Sequence, residues 1–151
     1  MRGKNNTTGV GLGEVYDLEH LASPTLTNIS TRGFVELGDN VMIGGFIVGN
    51  GSVRVIVRAL GPTIGRAPFN VPNVLGDPTL ELHDANGALI GSNDNWQETQ
   101  QAEIQASGFA PPDAAEAAII VVRPPGNTTA IVKGKNGATG NALVDLFQLP
   151  P

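Results

Sequence analysis

A chain of 151 residues that is 40% hydrophobic has apolar material for one ordinary domain, and its 20 glycines and 11 prolines fall short of a low-complexity composition. A net charge of -5, with nine Lys and Arg scattered along the chain, excludes the basic footprint that a nucleic-acid partner requires. With no cysteine there are no disulfides, thiolate metal sites or cysteine nucleophiles, and no apolar run approaches the roughly 20 residues of a membrane span.

Met1 is followed by Arg2, Gly3, Lys4 and polar residues, so no apolar signal-peptide core stands at the start. The expectation is that export is directed from outside this stretch, or that the stretch belongs to a longer chain. Residues 1-20 read as an extra N-terminal strand with a linker, and 21-151 as a single β domain.

Short strand-like runs separated by turn residues are expected near 10-18, 28-36, 40-48, 53-60, 79-84, 88-91, 117-123, 128-134 and 142-149. Their even spacing predicts an all-β antiparallel β-sandwich, jelly-roll-like, with one short helix near 97-106 and a further helical turn near 112-118. The β character is strongest in "VRVIVRAL", where Val53, Val55, Ile56 and Val57 suit a pleated, half-buried surface. "GPTIGRAPFNVPNVLGDP" at 61-78 holds prolines 62, 68, 72 and 78, which exclude a central strand and predict a long ordered loop. Two hairpins are expected: "LELHDANGALIG", turning at Ala85-Asn86-Gly87, and "VRPPGNTTAIV", turning at Pro125-Gly126.

The chain also contains one strand pattern twice. Aligning Arg2 with Lys133 superimposes Gly3 on Gly134, Lys4 on Lys135, Asn5 on Asn136, Thr8 on Thr139, Gly9 on Gly140, Leu12 on Leu143 and Leu18 on Leu149. One face agrees in kind, Leu12, Glu14, Tyr16 and Leu18 matching Leu143, Asp145, Phe147 and Leu149. The other face does not, because Gly11, Gly13 and Val15 stand where the second copy has Ala142, Val144 and Leu146. The second copy is therefore the expected central strand. The first is either a remnant or edge strand of a repeat array, or a strand donated to another molecule through Val10, Leu12, Tyr16 and Leu18. Its partner is then another copy of the chain or a neighbouring repeat.

Little chemistry can be assembled. His20 and His83 have nothing to bring them together, serine is scarce, no G-x-S-x-G elbow exists, and the glycine pairs match no phosphate loop. No enzyme is expected. Asp84, Asn86 and Asp94, around one hairpin, are candidate calcium ligands, with turn formation as the alternative. Asn-x-Ser/Thr triplets beginning at Asn5, Asn6, Asn28, Asn50 and Asn127 are candidate glycan attachment points. Trp96 reads as a packing residue or, with the 61-78 loop, as a surface for polysaccharide. Arg54 and Arg58 share a face with Ile56, and one of them is expected to pair with Asp145 in a structural role.

Through "NISTRGFVELGDNVMIGGFIVGNGSVRVIVRALGPTIG" at 28-65, "DPTLELHDANGALIGSNDNWQETQQAEIQASGFAP" at 77-111 and "PPGNTTAIVKGKNGATGNALVDL" at 124-146, the chain resembles a repeat module of large exported proteins of Verrucomicrobia, Acidobacteria and related bacteria. That resemblance implies a surface or secreted β domain, in tandem or beside autotransporter or enzyme domains, with no activity attached. A weaker similarity of "LELHDANGALIGSNDN" and "AIVKGKNGATGNALVDL" to bacterial pre-peptidase C-terminal domains implies a β-sandwich and an extracellular location. The function expected is a non-catalytic extracellular structural module, a surface-protein repeat or a filament subunit; the alternative is a module binding carbohydrate or another surface polymer.

Overall fold

The structure, a computed structural model, describes residues 4-7, 9, 11-15 and 28-151. Eight strands, β1 Asn28–Val35, β2 Met42–Val48, β3 Val53–Leu60, β4 Pro78–Asp84, β5 Leu89–Asn93, β6 Ala117–Arg123, β7 Gly126–Gly134 and β8 Gly140–Leu149, form two antiparallel sheets. The first runs β1-β8-β3-β6 and the second β2-β7-β4-β5. This is the expected sandwich.

The core explains why β3 and β8 read as nearly continuous apolar runs. Val55, Val57 and Ala59 of β3 and Ala142, Val144 and Leu146 of β8 face the second sheet and meet Leu80, Leu82, Ala130 and Val132. Ile56 and Leu149 of the same strands face outward, under a second cluster with Trp96, Ile104, Ala118 and Ile120. The segment that carries it includes the helix α1, Gln101–Ala106, shorter than the expected 97-106. A two-faced strand has no polar side to show. Each large side chain so buried contributes about 1.5–3 kcal/mol from the area it removes from water.

Arg58 and Asp145 sit on that covered face and form a two-pronged pair, Nε to Oδ1 at 2.8 Å and Nη2 to Oδ2 at 2.6 Å. The guanidinium also donates to the Phe109 carbonyl and stacks on the Phe147 ring, 5.0 Å from its centre. The expected arginine–Asp145 pair is therefore Arg58; Arg54 reaches Glu103 of α1 instead.

Two expectations change. Residues 117-134 are not a hairpin: β6 pairs with β3 and β7 with β2 and β4, so the chain crosses between sheets at Pro124-Pro125. Alternation reveals which face a residue takes, whereas the partner strand is chosen by distant contacts. Of the strand expected at 10-18, residues 11-15 belong to neither sheet, and 10 and 16-18 lie outside the described residues.

The 61-78 loop is ordered and closes one end of the sandwich. Glu116, fully buried, accepts from Gly61 N at 3.1 Å, Thr63 N at 2.8 Å, Thr63 Oγ1 at 2.7 Å and Asp113 N at 3.3 Å. Leu75, also fully buried, plugs the end. A Cβ on Gly61 would stand 1.9 Å from the Leu75 carbonyl oxygen, so only glycine admits this approach.

Candidate functional site

The charged residues that meet are arranged for structure. On the outer face of the second sheet, Lys133 Nζ lies 3.0 Å from both Glu81 oxygens and His83 Nε2 lies 3.2 Å from Oε2. Lys133, and then His83, hold the Glu81 carboxyl below its usual range. The Gly87 carbonyl and then Glu81 raise the His83 imidazole. At the loop end, the backbone N–H of Ala115, followed by Arg66, lowers the Asp113 carboxyl. Lys135 is raised by Asp94, 2.6 Å away, and by Asp77.

Of the candidate calcium ligands, Asp84 Oδ1 accepts from the N–H groups of Asn86 and Ala88 and so builds the β4–β5 turn, while Asp94 takes Lys135. Among the described residues no group of three or more His, Asp or Glu can hold a metal ion. Trp96 is 5% exposed and donates Nε1–H to the Asp113 carbonyl at 3.0 Å, so the sugar-stacking role has no open ring face; Phe69, at 61%, is the exposed aromatic of the loop. Asn50 is exposed in the β2–β3 turn and Asn127 at the start of β7. Asn28 donates its amide to the Leu146 carbonyl, and Asn6 lies in a turn with Lys4 and Asn5. Val10, Tyr16, Leu18 and His20 lie outside the described residues.

The duplicated pattern is also a duplicated conformation. Lys4–Asn6 and Lys135–Gly137 both form a single 3-10 turn, with Asn5 at φ 56° and Asn136 at φ 54°. The closing bonds match, Thr7 N to Lys4 O and Ala138 N to Lys135 O. Past the second turn the chain enters β8, whereas after the first, residues 11-15 are exposed, with Leu12 78% and Val15 70% accessible.

A sandwich has four strand edges, and these are treated differently. The edge of β6 is sealed by side chains: Gln100 both donates to the Ile120 carbonyl and accepts from its N–H, each at 2.9 Å. Asn93 accepts from Ala118 N–H at 3.0 Å, and Trp96 N–H takes the Glu116 carbonyl. Two side-chain amides thus stand in for a missing strand. On the same side of the molecule β5 is only five residues long and its pairing with β4 is interrupted by a register shift. On the other side lie β1, which carries Arg32, and β2, "MIGGFIV", with no charge and no proline. Between β1 and β2 the layers leave a small cleft of about 40 Å³ lined by Ile29, Thr31, Gly44, Phe46, Val144 and Leu146. Sequence reasoning missed this asymmetry, because Asn93 and Gln100 act on a strand distant in sequence.

Among the described residues the molecule is thus an all-β antiparallel sandwich whose β6 edge is capped by side-chain amides and whose β1 and β2 edges carry no such cap. No protein-family model matches the chain, and no curated protein matches it. Among solved structures it is similar to the pre-peptidase C-terminal domain of collagenase from Bacillus anthracis, at 11% identity and a TM-score of 0.49, over 80% of this chain and 89% of that one. No helix among the described residues is long and apolar enough to cross a membrane.

Proposed function

We propose that this protein is a non-catalytic extracellular structural module, a subunit that assembles by donating residues 2-18 to a neighbour or, in a longer chain, a repeat of a surface protein. The observation that carries this reading is the second copy of the β8 entry. Residues 4-7 repeat the turn of 135-138, yet residues 11-15 stand solvent-exposed and in no sheet. The segment shares one alternating face with β8, Leu12 and Glu14 standing where β8 has Leu143 and Asp145, and a strand of that pattern can add to the sheet of a neighbour. Val10, Leu12, Tyr16 and Leu18 would bring four apolar side chains, about 6–12 kcal/mol of burial before ordering costs. Carbohydrate binding through the 61-78 loop and Trp96 is the competing reading; Trp96 is 5% exposed, and Phe69, at 61%, is the loop aromatic open to a ligand.

The eight strands of the described residues lie within 28-149, so a chain beginning at Glu19 retains all of them. Light scattering and negative-stain electron microscopy on that chain and on the full chain test the reading. Oligomers or filaments are expected from the full chain only. Monomers from both, with equal stability, would overturn donation and leave the repeat-array remnant.

A further inference from the structure

We propose that the acceptor is the outer edge of β2, and that residues 9-18 of a second copy add to it antiparallel, with Leu12 opposite Ile47, Glu14 opposite Gly45 and Tyr16 opposite Ile43. The inference rests on strand donation and assigns its other half.

The edge follows from elimination by chemistry. An incoming strand needs unsatisfied N–H and C=O groups, and on β6 the Ala118 N–H and both groups of Ile120 are already taken by Asn93 and Gln100. β5 offers five residues against the seven of β2, and its pairing with β4 is broken by a register shift. β1 presents Arg32 at its middle, the kind of charge with which exposed edges are normally blunted. β2 has no such guard. Its outward side chains include Ile43 at 59% exposure and Ile47 at 65%, four residues apart with Gly45 between them.

The register follows from size. Residues four apart share one face of a strand, so Leu12 and Tyr16 match the spacing of Ile43 and Ile47, and Glu14 falls opposite Gly45 in either direction. The other face decides the direction. Antiparallel addition sets Val15 against Gly44, Gly13 against Phe46 and Gly11 against Val48, so that each glycine meets a larger residue. Parallel addition would set Gly13 against Gly44 and leave a hole beside the gap between β1 and β2. A side chain on Gly44 would reach that gap only by pushing Val144 aside, since a Cβ there would stand 3.1 Å from a Val144 methyl. Val15 of the donor would fill it instead. The donor is a second molecule because the chain's own Leu12 and Val15 are exposed rather than seated.

The test uses the full chain and two variants, Ile43→Asp with Ile47→Asp on β2, and Val122→Asp on β6, where Val122 is 59% exposed. Sedimentation and light scattering across protein concentration give the assembly threshold, and circular dichroism reports the sheet. The β2 variant is expected to remain folded and to raise the threshold by roughly a hundredfold, while Val122→Asp assembles like the parent. If the aspartates unfold the sheet, Ile43→Thr with Ile47→Thr keeps β-branched residues there and is read the same way. Assembly of the β2 variant at the parent's threshold, or equal loss in Val122→Asp, overturns the assignment to β2 while donation stands. A parent that stays monomeric overturns donation itself.

Discussion

Replacing Asp145 with alanine removes both carboxylate acceptors of Arg58 at once. The pair is deep: the side chains are 13% and 5% exposed, and the two bonds measure 2.8 and 2.6 Å. Charge-assisted bonds each contribute about 1.5–3 kcal/mol, and deleting one partner of a buried pair costs about 3–5 kcal/mol. Arg58 keeps the Phe109 carbonyl and the Phe147 ring, which places the loss at the lower end, about 3 kcal/mol, or roughly 10 °C in melting temperature. Urea unfolding followed by Trp96 fluorescence measures it, with Glu103→Ala as the comparison. That variant breaks the Arg54–Glu103 pair, whose side chains are 29% and 43% exposed, and is expected to lose less than about 1 kcal/mol. If the two variants lose the same amount, burial does not set the strength of the Arg58 pair and the reasoning fails. Arg58→Met with Asp145→Leu should recover most of the loss, because neither charge is then left alone.

Both His83 nitrogens face acceptors, the Gly87 carbonyl and Glu81, and only the imidazolium can donate to both. An NMR titration should therefore find its pKa above 6.5, with stability that is full below 6.5 and is lost as pH rises through the folded value; a midpoint at or below 6.5 contradicts this. Glu81 carries the opposite sign, its contribution being present above 4.5 and lost as pH falls through its lowered value. Glu116→Ala strips the Gly61 and Thr63 N–H groups of their acceptor and should cost about 3 kcal/mol or more by calorimetry, with Glu116→Gln in between; a neutral alanine would mean the loop is held by something else. Trp96→Ala should lose about 3–5 kcal/mol in denaturation followed by circular dichroism, and an unchanged midpoint would return the ring to the surface.

The strands were legible where the local sequence alone decides them. "VRVIVRAL" gave β3 at Val53–Leu60, and "AAIIVVR" gave β6 at Ala117–Arg123. The central place of β8 was readable from Ala142, Val144 and Leu146, which need a partner layer on the face where the first copy has mostly glycine. What stayed hidden depends on residues far apart. Glu116 has acid chemistry in an alanine-rich run, and nothing near it announces acceptors for amides more than 50 positions earlier. Gln100 looked like a helix residue, but its amide is held by the edge of β6, which leaves the helix to begin at Gln101. Pro125-Gly126 has the composition of a hairpin turn and serves instead as a bridge between layers, since composition fixes local dihedrals and not the destination of the next strand.

The place of β8 has a consequence for when the molecule can exist. β1 bonds to no other strand of its sheet, and its partners span nearly the whole order of synthesis, Asn28 against Phe147 and Val35 against Gly140. β3 reaches β1 only through the same strand. A nascent chain that has produced everything up to residue 139 therefore has two halves of a sheet that cannot touch, with β1 lacking its whole ladder to β8 and β3 lacking its β8 neighbours from Leu143 to Leu149. Closure is deferred to the last ten residues of the sandwich and then happens at once, which predicts slow, all-or-none folding and little tolerance for premature termination.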